Sequence, residues 1–287
     1  MATIRNPVEW SADQLKHAAH AAGEMGHSIL GDRRDGAAPS IREIEIAELR
    51  GALEKGIDDL GIFRSDILFL CIIYPFIGLV LVWFALNAEL LPMLFPLGAG
   101  FALIGPVAAV GLYELSRRRE QGLPAKWSNV LDVISSPSFG AILTLALGLM
   151  FLFLLWLGAA QTIFALTLGP EPPASPGQFI IDVLTTGAGW AMIVVGIGVG
   201  FCFALAVLAL SLVSFPMLLD REVGLRVAVT TSVGAFVKNP RPVAAWGLIV
   251  AAALFVGSIP LFLGLIFVMP ALGHATWHLY RRLVAWD

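Results

Sequence analysis

Residues 67–86 read ILFLCIIYPFIGLVLVWFAL, twenty residues without a single charge. A bilayer hydrocarbon core of about 30 Å takes about 20 apolar residues as helix, so this run is long enough to cross one. Four more stretches carry the same signature: 91–114, 139–168, 187–218 and 243–280. The last is too long for one crossing, and Gly257-Ser258-Ile259-Pro260 at its midpoint is a turn signal. Six spans are therefore expected. The composition agrees: the chain is 58% hydrophobic and 14% charged, with a mean hydropathy of +0.84. Soluble domains are usually about 45–50% apolar and about 25% charged.

The basic residues orient the spans. Eight of the eighteen Lys and Arg precede the first span, and Arg117, Arg118, Arg119 and Lys126 lie between the second and third. Arg221, Arg226, Lys238 and Arg241 lie between the fourth and fifth, and Arg281 and Arg282 follow the sixth. The opposite loops, near Asn87, across Gly169–Gln178 and at Ser258, carry none. The positive-inside rule then places both termini in the cytoplasm of a bacterial inner membrane. No signal peptide is expected at the start. A net charge of −3 leaves no nucleic-acid footprint.

A threefold repeat is expected on top of this topology. An amphipathic segment precedes each odd span, near 45–65, 126–137 and 221–239, and each ends in a breaker: Ser65-Asp66, Ser136-Pro137 and Asn239-Pro240. Each even span leaves the membrane through a basic exit: GLYELSRRRE, FPMLLDRE and GHATWHLYRR. The expected fold is all-α, with six transmembrane helices as three repeated hairpins, each preceded by a cytoplasmic interfacial helix. Residues 41–287 form this membrane domain. Residues 1–40 form a variable cytoplasmic tail, either helical from Asn6-Pro7 or disordered, closing on the linker-like GDRRDGAAPS.

SDILFLCIIYPFIGLVL, LLPMLFPLGAGFALIGPVAAVGLYELSRRRE, SSPSFGAILTLAL, FPMLLDREVG and GHATWHLYRR resemble bacterial integral membrane proteins grouped as domain of unknown function 2189. The resemblance spans roughly residues 40–284. It implies a polytopic inner-membrane protein and carries over no catalytic residue.

The candidate sites are few. His274 and His278 are four apart and share a helix face, so they are the weak candidates for a cofactor. A buried bis-histidine haem needs a ligand from a facing helix, and no other span holds a histidine. A metalloprotease pattern is missing too, because Ala275 stands where its Glu would be. Neither haem nor a metal is expected; bound lipid is. Glu114, Arg117, Asp220, Arg221, Trp277, Tyr280 and Arg281 form an expected boundary cluster of helix-end ion pairs and aromatic anchors. Gly189, Gly196 and Gly200 mark a close-packing or partner face on the fourth span. Cys71 and Cys202 are isolated, and no nucleotide or hydrolase motif occurs.

Span interiors almost free of charge argue against an ion-coupled pump. The expected function is non-catalytic: an accessory, scaffold or assembly subunit of a larger membrane complex, such as a respiratory one, with lipids and other membrane subunits as partners. A carrier or channel for a small or lipidic molecule is the alternative. An enzyme or haem protein would rest on His274 and His278 alone.

Overall fold

In the computed structural model, which describes residues 39–87 and 90–286, the apolar runs are helices and shorter helices join them at both ends. The expected tail helix at Asn6-Pro7 lies outside the described residues. The first described element is a strand, β1 (Pro39–Ile41), paired antiparallel with the closing strand β2 (Val284–Trp286). Proline suits the first position of a strand, where its missing N–H costs no ladder bond. This short strap is the one strand pair among the described residues, and the rest of the architecture is helical, as expected. It also makes the end of the supposed linker part of the fold.

Helix α1 (Ile46–Cys71) runs straight through Ser65-Asp66, and its junction with α2 (Ile73–Asn87) falls at Ile72. The expected break at Ser65-Asp66 is therefore absent. The other two breakers do divide helices: Ser136 follows a 3₁₀ helix at Trp127–Ser135, and Asn239 separates α9 (Leu225–Lys238) from α10 (Pro240–Ser258). The difference is proline, which removes an N–H and clashes with the preceding turn. Ser-Asp does neither, so the helix continues.

The second run is split into α3 (Leu94–Ala108) and α4 (Val110–Glu120), with Pro106 just before the joint. Then come α5 (Phe139–Thr167), α6 (Pro176–Thr185), α7 (Gly187–Ser211), α8 (Ser214–Asp220) and, after α10, α11 (Leu265–Leu283). Helix α6 begins inside the Gly169–Gln178 stretch expected to be a loop. Ser175 caps it by accepting from the Gln178 N–H at 3.2 Å, and Pro176 occupies the first position, a strong start signal. The corner into α7 needs Gly189, where a Cβ would lie 2.3 Å from the Val183 carbonyl oxygen.

Among the described residues, four helical stretches are long and apolar enough to cross a membrane: Leu91–Glu120, Phe139–Thr167, Gly187–Asp220 and Pro240–Ser258. Helix α2, at 15 residues, falls short because the break at Ile72 trims the first run. Helix α11 carries two histidines and ends in Arg281 and Arg282. The turn before α11 bends through Leu261 (φ 52°) and Phe262 (φ 63°). It lays the Phe262 ring on α2, 2.7 Å from where a Cβ at Gly78 would stand.

The first half of α1, the expected interfacial segment near 45–65, is docked on α11. Leu49, Ala52, Gly56 and Asp59 recur at spacings of three and four and are buried, whereas Ile46, Ile57 and Ile62 face outward. The two helices run antiparallel, since Glu48 pairs with Arg282 while Gly56 lies on Ala275. Tyr113, Phe215, Trp246, Trp277 and Tyr280 fill the main core at this end. A smaller core holds Met93, Trp156 and Ala160, with the Trp156 indole N–H donating to the Pro96 carbonyl at 2.9 Å.

A Cβ at Gly56 would come within 2.6 Å of the Ala275 backbone nitrogen, while one at Gly61 would meet nothing within 4 Å. Gly56→Val is expected to destabilise by about 1–3 kcal/mol, the usual cost of overpacking. Gly61→Ala is expected to leave the chain as stable or more so. Thermal unfolding in detergent checks both.

Candidate functional site

The three basic exits meet at one end of the bundle. Helix α4 supplies residues 110–120, α8 supplies 214–220, and α11 supplies the centre, with Ala275, Trp277, Leu279 and Tyr280 at most 1% exposed. Side chains there fall into three connected groups.

The first surrounds Asp59, a carboxylate 1% exposed on α1. One oxygen, Oδ2, accepts from the Ser116 hydroxyl at 2.6 Å and from His278 Nε2 at 2.9 Å. The other, Oδ1, accepts from the Arg119 guanidinium. His274, fully buried, places Nδ1 2.7 Å from the Ser116 oxygen. With the Ser116 proton given to Asp59, His274 Nδ1–H is the donor in that contact. Burying a carboxylate is costly unless several donors replace its water, and three do so here. Both histidines thus face one aspartate. His274 also sits beyond the reach of solvent.

The second group centres on Glu114, 3% exposed. Arg117 grips it through Nε at 2.7 Å and Nη2 at 2.9 Å, and Arg118 adds Nε at 2.7 Å. Arg118 reaches on to Asp132 of the 3₁₀ helix, 2.7 Å away. These residues line an open cavity of about 280 Å³, together with Ser136, Ser138 and residues 218–222 from the end of α8.

The third group ties α11 to both other exits. Asp220 accepts from the Tyr280 hydroxyl at 2.7 Å and from Arg281 at 3.2 Å. Glu120 accepts from the Trp277 indole at 2.9 Å and from Arg281 at 3.0 Å. Burial works to lower the Arg281 pKa, but Asp220 and Glu120 outweigh it and hold this guanidinium above its usual value. Trp286 of β2 donates to the Tyr280 oxygen at 3.2 Å and lies under Arg221, 5.2 Å from ring centre to guanidinium carbon.

The expected boundary cluster therefore divides: Glu114 and Arg117 lie in the second group, and Asp220, Arg221, Trp277, Tyr280 and Arg281 in the third. The expected glycine face divides too. Gly189 is taken up by the α6–α7 corner, Gly200 packs 3.0 Å from the Trp156 ring, and Gly196 meets nothing within 4 Å. Asp59, Ser116, Arg119, Glu120 and Asn239 were not singled out from the sequence. Asp59 was detectable, because it continues the Leu49–Ala52–Gly56 stripe and so falls on a buried face. Asn239 was read only as a breaker. Its buried amide accepts from the Ile44 N–H at 2.9 Å and donates to the Arg42 carbonyl at 3.0 Å, clamping the chain between β1 and α1.

Asp59→Asn leaves Arg119 with a poorer acceptor and strips charge from two short hydrogen bonds. Arg119 is partly exposed and regains water, so the expected loss is about 2–3 kcal/mol, below that of a fully buried pair. Glu54→Gln breaks only the exposed pair with Arg50 and is expected to leave the melting temperature unchanged. Comparing the two variants by thermal unfolding tests whether the Asp59 joint holds α1 to α4 and α11.

No curated protein and no solved structure matches the chain. A family model described as "Predicted integral membrane protein (DUF2189)" matches residues 93–220. The match is narrower than the resemblance over roughly 40–284. It contains Glu114, Ser116, Arg117, Arg118, Arg119, Asp132 and Asp220, but not Asp59, His274 or His278. Over residues 93–220 the chain is therefore similar to the DUF2189 family, and it is an integral membrane protein built of apolar helices.

Proposed function

We propose that this chain is a non-catalytic scaffold, an accessory or assembly subunit of a larger complex in a bacterial inner membrane. It crosses six times with both termini in the cytoplasm. Helices α2 and α11 supply the crossings beyond the four long stretches. The partition of all eighteen Lys and Arg onto one side supports the topology.

The observation that carries the functional reading is helix α7. Of its 25 residues only Gly189, Val207 and Ser211 are buried. Trp190, Val194, Ile197 and Phe201 are each more than half exposed. A span so little used by its own fold offers its surface to lipid or to neighbouring helices, and Gly196 on it leaves room for close approach. The groups able to do chemistry are engaged with one another at the charged end, which suits a rigid body better than an active site. The open cavity beside Glu114 favours a second reading, a carrier for a small or lipidic molecule, because it is polar and lies at the mouth of the bundle.

Native purification of the tagged full chain in mild detergent, followed by mass spectrometry, is expected to recover a stoichiometric membrane partner. Recovery of the chain alone would remove the scaffold reading and leave the carrier. The topology has its own test. Cysteines placed at Gln121 and at Pro173, labelled with an impermeant maleimide in intact cells, are expected to react only at Pro173.

A further inference from the structure

None of the ten residues of α6 is buried, yet they sort into two sides. Phe179, Asp182 and Val183 are half-buried, and the Phe179 ring stands edge-on to Phe164 of α5 with 6.3 Å between ring centres. Ile180, Ile181 and Leu184 turn away from the bundle and are 56%, 53% and 55% exposed. Positions three and four apart share a helix face, so these three form one apolar strip. Gln178 and Thr185 are also exposed and border the strip on one side. A segment standing in water gains nothing from such an arrangement, because three large aliphatic side chains would stay hydrated.

The helix is fixed in place from both ends. After α5 stops at Thr167, the chain turns at Gly169, whose φ is 102°. Past α6, the Thr186 hydroxyl donates to the Asp182 carbonyl at 2.6 Å and accepts from the Gly189 N–H at 2.9 Å. With Thr186 in extended backbone, α6 makes a corner with α7 and does not lengthen it. Both neighbours belong to stretches of membrane length, Phe139–Thr167 and Gly187–Asp220. The strip therefore lies where those stretches reach the membrane surface. It is also continuous with their outward faces. Leu166, in the last turn of α5, is 81% exposed. Trp190, in the first turn of α7, is more than half exposed, and its indole N–H donates to the Leu184 carbonyl at 3.0 Å. An aromatic ring facing outward with its polar edge satisfied is the posture of a residue in the interfacial belt.

We propose that α6 is an interfacial helix of the outer leaflet, with Ile180, Ile181 and Leu184 among the upper acyl chains and Gln178 and Thr185 at the headgroups. An amphipathic helix lying this way sinks its apolar face about 5–10 Å into the boundary between headgroups and chains. Lipid is the occupant because the strip runs on through Trp190 to the outward face of α7, which a bilayer surrounds. The anchoring is apolar alone. Residues 168–190 carry Glu171 and Asp182 but no Lys or Arg, so anionic headgroups add no attraction. The choice of leaflet rests on the six-crossing topology proposed above. The burial of the strip in lipid does not, since α6 joins the same ends of α5 and α7 on either side.

The test uses the full chain with Cys71 and Cys202 replaced by serine, reconstituted at one copy per lipid nanodisc. Single changes Gln178→Cys, Ile180→Cys, Leu184→Cys and Thr185→Cys, all at exposed positions, each carry a nitroxide. Its collisions are measured with oxygen, which concentrates in the bilayer, and with a nickel chelate, which stays in water. The ratio of oxygen to nickel collisions is expected to be several-fold higher at Ile180 and Leu184 than at Gln178 and Thr185. The same pattern is expected in phosphatidylcholine alone and with phosphatidylglycerol added. Equal nickel access at all four positions would overturn the proposal, because α6 would then stand in water. Protection of Ile180 and Leu184 only with two copies per disc would overturn lipid as the occupant in favour of a second chain. A pattern that needs phosphatidylglycerol would overturn purely apolar anchoring. The expected pattern together with no labelling at Pro173 in intact cells would overturn the outer leaflet and the topology, and not the contact with lipid.

Discussion

A buried carboxylate cannot be left without donors, and at Asp59 those donors come from two other helices. Ser116 and Arg119 reach it from α4, and His278 from α11, with His274 behind Ser116. The consequence is geometric. Helix α1 must lie against α11 at one register, because sliding by a residue would turn Asp59 away from all of them. Gly56 makes the register feasible by letting the α11 backbone approach at Ala275. The same register brings Glu48 beside Arg282 and positions the chain for the β1–β2 strap.

The remaining charges at this end obey the same constraint more loosely. Arg118 joins Glu114 of its own helix to Asp132 of the 3₁₀ helix, Asp220 takes Tyr280 and Arg281 from α11, and Arg281 draws α4 and α8 onto α11 at once. The Arg281 pairs are partly hydrated, so each contributes modestly. Together they make one end of the bundle rigid and polar, while α7 stands largely uncovered along its length. An open cavity lies beside Arg118 at the same end.

The long apolar runs were legible because hydrophobicity and length are local properties. So were the proline breakers at Ser136-Pro137 and Asn239-Pro240, where the steric rule acts within one turn. Ser65-Asp66 looked equivalent by its place in the repeat but lacks the proline, and the helix runs on. Helix α6 was missed although Ser175-Pro176 announces its start, because an outer loop without cations was read only as a turn. The glycines show the limit of spacing rules: Gly189, Gly196 and Gly200 have the same helical period, yet they meet a helix corner, empty space and a tryptophan ring.

By itself the sequence determined which segments are apolar enough to enter a membrane, which end of them carries the charge, and that His274 and His278 share a face. These follow from residue type and a helical period over a few turns. Only the tertiary structure decided what that face meets. Asp59 lies 219 residues from His278 and 57 from Ser116, and β1 closes on β2 across nearly the whole described chain. No local pattern encodes such partners. They are selected when helices pack, because a buried polar group must find its donors among whatever the packing brings near.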